Sequence, residues 1–325
     1  MKQYDFEDEP LEERPTFEQA LQALQQGSEP EDDAVLVYGL SDLTDEQIES
    51  LMPVWRGLDA DYRHLILQML TDEIQSNYEL SYDQLALQGL ADSDERIRRT
   101  SIELLITSED PNHIRLLLHH AAQDGAILVR MDALRGIAAF CRDGAYESLS
   151  QTQVRQIQAL AQARVGAEVE SEERGAALEL LAAIDAASVQ LIRDAYHSGD
   201  SGMKASALVA MGYTADADEW REIVLHELEE GNPYAVREAI RASGALELTE
   251  AVPVLARLLN DEEIDARETI VWSLGEIGGK ESMRILNALA EAAEEDEDDD
   301  LLDKIEDALA NASLADGSDF FNVLS

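Results

Sequence analysis

Cysteine is nearly absent: Cys141 is the only one in 325 residues. No internal disulfide can form, and such usage suits a reducing compartment, the cytoplasm. Proline is scarce at 7 residues, which leaves long helices uninterrupted. Lysine is scarcer, since Lys2, Lys204, Lys280 and Lys304 are the whole set and arginine supplies the rest of the 24 bases. No apolar run approaches the ~20 residues that cross a bilayer. The opening MKQYDFEDEP lacks the apolar stretch of a secretory signal, which again predicts a cytoplasmic protein. No Gly-rich phosphate loop, HExxH or nucleophile elbow is present, so nothing calls for an enzyme or a cofactor.

Positive charge is the largest deficit. Against 69 acids the bases leave a net charge of -45. That excludes binding to DNA or RNA through phosphates, and to anionic membranes. Two roles remain for the acid. It is either a solubilising, genome-wide or salt-adapted bias, which would also explain arginine over lysine, or an attraction for a basic partner.

What is present is a periodic helical pattern, clearest in TEAVPVLARLLNDEEIDARETIVWSLGEIG, from Thr249 to Gly278. Val252, Leu255, Leu258 and Leu259 share one face of a helix predicted over about 250–260, with Thr249 as its N-cap. Ile270, Val271, Leu274 and Ile277 form the stripe of a second helix over about 263–277, ended by Gly278-Gly279. Neither helix is long enough to stand alone in water. Such a pair must stack on others like itself.

Copies follow when Arg267 is taken as an anchor with apolar or small residues at plus 3, 4, 7 and 10, and small ones at plus 6 and 8. Arg63, Arg98, Arg130, Arg174 and Lys204 fit this frame, and Arg237 fits it loosely. Their steps are 35, 32, 44, 30, 33 and 30 residues. A two-helix period of this size predicts an all-α solenoid. The long step fits longer helices over 150–164 and 170–184.

The eighth of these pairs resembles a HEAT repeat, most of all the bacterial repeats named after phycobilisome lyases. Pro253 and Pro53 stand where HEAT repeats often carry a first-helix proline. Asp92, Asp124 and Asp261 stand six residues before an anchor, with Glu168 in the matching place of repeat five. Repeats six and seven lack that acid. The resemblance spans about residues 16–312 and implies a right-handed superhelix of about nine helical hairpins. It also implies that the Asp and Arg ladder ties neighbouring repeats, a task the arginine fork suits, and that second helices line the concave side.

Taken in order, residues 1–15 read as a disordered acidic segment. Capping boxes at Thr16, Thr44 and Ser150 open the first helices of repeats one, two and five. Asp33 replaces the anchor in repeat one, as expected of an end cap. Asp110-Pro111 predicts a helix from 111, and Asn232-Pro233 another from 233. Residues 280–295 and 299–312 form a terminal pair without an arginine anchor. Glu291 to Asp300 holds eight acids in ten positions and reads as a solvated loop. Residues 313–325 read as a tail whose Phe320, Phe321 and Leu324 fold back or dock.

Two metal-like patterns are weak. His113 and His120 share a helical face two turns apart, too far for one ion, and His119 points elsewhere. Asp296, Asp298 and Asp300 have calcium-loop spacing, but Leu301 stands where such a loop needs glycine. The plus-5 row should point away from the core: Tyr38, Gln68, Glu103, Arg135, Glu179, Val209, Ala242 and Trp272. From it Trp272, Tyr38, Glu103, Arg135 and Glu179 are candidates for holding a partner. The expectation is a non-enzymatic scaffold whose concave face takes another protein, in particular a basic segment. The resemblance also admits a phycobilin-lyase-like role in handling a chromophore with a second subunit.

Overall fold

Helical pairs fill the computed structural model, which describes residues 14–27, 34–76, 79–108, 110–142, 148–166, 168–185, 187–261, 264–296 and 298–315. The acidic segment before Arg14, the Asp33 position and the apolar tail at Phe320 and Phe321 lie outside the described residues. Among those described the chain is all-α, with no strand. It divides into two compact units, Met1–Phe140 with Glu147–Leu149, and Cys141–Tyr146 with Ser150–Ser325. The boundary falls inside the 44-residue step of the repeat frame.

Unit 1 holds α1 Phe17–Gln26, α2 Ala34–Gly39, α3 Asp45–Trp55, α4 Ala60–Ser76, α5 Asp83–Gly89, α6 Glu95–Ile106, α7 His113–Gln123 and most of α8 Ile127–Arg142. Thr16 and Thr44 each accept from the amide three residues on, and Gln19 and Gln47 reach back, which closes two capping boxes. First helices α1, α3 and α5 pack in one row, and second helices α4 and α6 pack beside them. Tyr82 stitches the first repeat to the third, its buried hydroxyl donating to the Val37 carbonyl at 3.0 Å. Helix α7 starts at His113, two residues later than Pro111 suggests. Asp110 accepts from the Asn112 amide at 2.9 Å and so holds residues 110–112 in a turn instead of a helical first turn.

Unit 2 holds α9 Gln151–Val165, α10 Ser171–Ala183, α11 Val189–Tyr196, α12 Ser201–Tyr213, α13 Ala217–Glu230, α14 Pro233–Ala245, α15 Val252–Leu258, α16 Arg267–Ile277, α17 Gly279–Asp296 and α18 Asp299–Ala315. Second helices α10, α12, α14, α16 and α18 pack each on the next and form one continuous layer. Two helices are shorter than their apolar stripes suggest. Thr249–Ala251 is a 3-10 turn ahead of α15, with no cap bond from a side chain. Helix α16 begins only at Arg267 because Asp265 takes a left-handed conformation, φ 45°, which breaks the helical run.

The acid block is not the solvated loop its charge suggests: α17 runs through Asp296 and α18 restarts at Asp299, as the terminal pair expected over 280–295 and 299–312 implies. Ala293 is buried and anchors that stretch. Asp298 serves as the cap of α18, its carboxylate accepting from the Leu301 amide at 3.2 Å. Helix α18 also runs to Ala315, past the end placed at 312 from the sequence.

Small residues at plus 6 and plus 8, and at plus 7 in the loosely fitting repeat of Arg237, now have a physical reason. A Cβ on Gly275 would lie 2.9 Å from the Cα and Cβ of Ala308, and one on Gly244 would lie 2.8 Å from the Cα of Ser273. A Cβ on Gly212 would meet the Ala242 backbone at 3.3 Å. Adjacent second helices therefore touch backbone to backbone. Ser273 exploits the proximity, sharing its hydroxyl proton between Thr269 of its own helix at 2.8 Å and Ile240 of the neighbour at 3.0 Å.

Gly275→Ala should accordingly force α16 and α18 apart and cost about 1–3 kcal/mol. Gly125, where an added Cβ meets nothing within 4 Å, is the matched control and should tolerate alanine. Urea melts of the two variants check this; equal midpoints would contradict the close-packing account.

Candidate functional site

The ladder residues come first, because they fix the second helices. In unit 1 each anchor arginine works in two directions. Arg63 donates from Nη1 to the Leu58 carbonyl at 2.6 Å, and from Nη2 to Asp92 at 3.1 Å. Arg98 donates to the Asp92 carbonyl at 3.0 Å and clasps Asp124 through Nε and Nη2 at 2.9 and 2.8 Å. Arg130 donates to the Asp124 carbonyl at 3.0 Å. The acids also shape their turns: Asp92 accepts from the Asp94 amide and Asp124 from the Ala126 amide, both at 2.9 Å. His120 adds a contact to Asp124 at 3.0 Å, which gives that histidine a place in the ladder.

Unit 2 solves the same problem with other residues. Arg174 has a buried Nε without a hydrogen-bond partner, and its charge helps to hold the Asp200 carboxyl low, after the Met203 amide. Lys204 pairs at 2.6 Å with Glu227, which is only 2% exposed. The Tyr196 hydroxyl donates to that same carboxylate. Glu227 thus does for repeats six and seven what a turn aspartate does elsewhere. Arg237 donates to the Ile264 carbonyl. Arg267 is exposed, and Asp261 gives its backbone carbonyl to the Asp265 amide at 3.3 Å. Arg164 pairs at 2.8 Å with a fully buried Glu173.

The plus-5 row lies partly as expected. Gln68, Glu103 and Arg135 come together in unit 1, lining one cavity of about 600 Å³ with His64, Arg96, Arg99 and Asp132. Trp272 lines another of about 340 Å³ in unit 2, with Arg241, Glu268, Lys304, Asp307 and Asn311. Two positions depart from the row. Glu179 is buried and accepts from Ser206 at 2.6 Å, so it is no surface contact. Ala242 is buried because α12 leans on it through Gly212. Tyr38 is half-buried, and the Arg14 guanidinium stands 5.4 Å from its ring centre.

Electrostatics differ between the cavities. In unit 1, burial and then Arg96 pull His64 below its usual range, which keeps it neutral near pH 7. Burial, then Asp132 and Asp72, push the Glu103 carboxyl up. Arg96 holds Asp94 down to about 2. In unit 2, Lys304 pairs with Glu268 at 2.8 Å across the mouth of the cavity beside Trp272. Trp272 is 38% exposed, whereas Trp55 and Trp220 are at 1% and 0%. Sequence periodicity had no means to find Glu227, Glu173 or Tyr196 as ladder members, since each stands outside the anchor frame. For Glu227 and Tyr196 the only signal was the missing acid in repeats six and seven.

With this geometry in view, relatives can be placed. A family model described as HEAT repeats matches residues 221–310, from within α13 to within α18. That region, which contains the Trp272 cavity, is similar to HEAT repeats. Among solved structures, the X-ray structure of YibA from Escherichia coli is similar at 18% identity and a TM-score of 0.38, over 83% of this chain and 98% of that one. No curated protein matches the chain.

Two outcomes follow. Acrylamide should quench one tryptophan of three, and Trp272→Phe should abolish that accessible component; quenching that survives the change would refute the exposure described. For the ladder, burial raises Asp124, but Arg98, the Ala126 amide and His120 outweigh it and hold the carboxyl well below the usual range. A depressed carboxyl adds stability that is complete above its unfolded value of about 3.9 and is lost as pH falls through the folded value. Arg98→Ala should cost about 3 kcal/mol at pH 7. The melting-temperature gap between wild type and Asp124→Asn should narrow steadily below pH 4; a constant gap would remove Asp124 from the acid response.

Proposed function

We infer that the protein is a non-enzymatic scaffold that holds a partner protein on the second-helix face of unit 2, with Trp272 as the anchor. The observation that carries this is the exposed indole at a cavity lined by Arg241, Glu268, Lys304, Asp307 and Asn311, within the stretch similar to HEAT repeats. HEAT repeats generally serve as protein-interaction scaffolds, and exposed tryptophan is the residue type that dominates binding energy at interfaces. The partner segment is basic. Residues 291–320 carry 13 acids against one base, and one of those acids, Asp307 of α18, lines the Trp272 cavity. Asp307 on the cavity wall suits a guanidinium or ammonium, Glu268 being already paired with Lys304, and the indole face adds a cation–π contact. The family match is to HEAT repeats in general and gives the chromophore-lyase alternative no preference.

Titrating the full chain with peptides graded in arginine and lysine content, read by calorimetry, tests this. Affinity should rise with basic content and fall steeply between 0.05 and 0.3 M salt, as the Debye length shrinks from roughly 14 to 6 Å. Trp272→Ala should weaken binding about 30-fold, equivalent to ~2 kcal/mol. Affinity that ignores both salt and Trp272 would leave the acid as a solubiliser only.

A further inference from the structure

A second site stands in unit 1, where the chain gathers bases against its own bias. Three arginines and a histidine are among the ten residues that line the 600 Å³ cavity, in a chain where bases are 24 of 325. They come from three successive second helices: His64 from α4, Arg96 and Arg99 from α6, Arg135 from α8. Carboxylates hold two of the guanidiniums in place. Arg96 is fixed between Asp94 at 2.7 Å and Asp61 at 2.8 Å. Arg99 is held by its Nε on Asp132 at 2.5 Å, and no described residue engages its terminal amino groups. Ile102 and Ile106 add apolar lining. Gly136 lets α8 approach those two isoleucines of α6 closely, a Cβ there meeting Ile106 at 3.1 Å.

We propose that this cavity binds a phosphorylated side chain, presented by a partner segment with an apolar residue next to it. Arginine forks match phosphate oxygens with strong charge-assisted bonds, and one phosphate offers three terminal oxygens to donors arriving from separate helices. A carboxylate offers two oxygens in one plane and is satisfied by a single fork, which Asp94 with Arg96 already shows here. The volume lies in the range of pockets that enclose a side chain with its neighbours, well beyond a bare ion. Nucleic acid is disfavoured as the phosphate source by the net charge of -45, which a polyanion must approach along its whole length. A segment with one phosphate meets only the local field. Neutral His64 retains one N–H to donate. Asp132 on the wall is taken up by Arg99, which leaves Glu103 as the carboxylate whose removal should strengthen binding.

The test uses the full chain and a short peptide carrying one phosphothreonine beside a leucine, by calorimetry at low salt. The peptide should bind at least tenfold more tightly than its unphosphorylated form, a glutamate-substituted form or inorganic phosphate. Arg99→Gln and Arg135→Gln should each weaken it about tenfold, with thermal melts confirming that both variants fold. Glu103→Gln should tighten it, and Trp272→Ala should leave it unchanged, which separates this site from the one in unit 2. No binding at millimolar peptide, equal affinity for the unphosphorylated form, or indifference to Arg99→Gln overturns the proposal. Inorganic phosphate binding as tightly as the peptide would assign the cavity to a small anion instead, and glutamate peptide binding equally would assign it to carboxylates.

Discussion

Backbone-to-backbone contact between neighbouring second helices is the constraint on which the rest depends. Each helix is too short to persist alone, and its apolar stripe is stable only against the next pair. Gly212 on Ala242, Gly244 on Ser273 and Gly275 on Ala308 set how near the helices come. That nearness draws Ser273 into a hydrogen bond with the adjacent helix. It also leaves little room on this face for large side chains, so a tryptophan there stands out from its surroundings rather than sinking into them.

The ion pairs act on top of that packing and differ between the units. In unit 1 the acid sits in a turn, organises the turn through an amide, and receives the arginine of the preceding pair. In unit 2 the burden passes to Glu227 and Glu173, which are carried on helices and buried. A helix-borne carboxylate has no turn amide to satisfy it. Glu227 therefore takes a tyrosine and a lysine on one oxygen and keeps its other oxygen without a partner. Leaving such an atom buried costs on the order of 1–3 kcal/mol, which the Lys204 pairing and the surrounding apolar burial offset.

Much of the fold was legible because short-range rules agreed with one another. Thr16, Thr44, Ser150 and Asn232 cap the helices their spacing predicted, and the anchor frame located the pairs. Ends were misjudged where a loop bond or a left-handed residue outweighed periodicity, at Asp110 before α7 and at Asp265 before α16. The acid block was misjudged because charge repulsion argues for a loop, while Ala293 and the α17–α18 packing argue for a helix and prevail. The site was legible in part. The plus-5 row placed Gln68, Glu103 and Arg135 at one cavity and Trp272 at another. It could not reveal that Glu179 turns inward, since Ser206 on the neighbouring helix decides that, nor that Arg96 and Arg99 join the cavity from outside the row.

One exchange in the ladder has a mechanical meaning. Arg98 grips Asp124 with two nitrogens of a flat, rigid group and so fixes the rotation of one pair about the next. Lys204 meets Glu227 through a single ammonium on a flexible stem, which sets a distance and leaves the torsion free. Twisting motions within unit 2 should therefore collect where α12 meets α13, giving that unit a compliant joint beside the stretch similar to HEAT repeats.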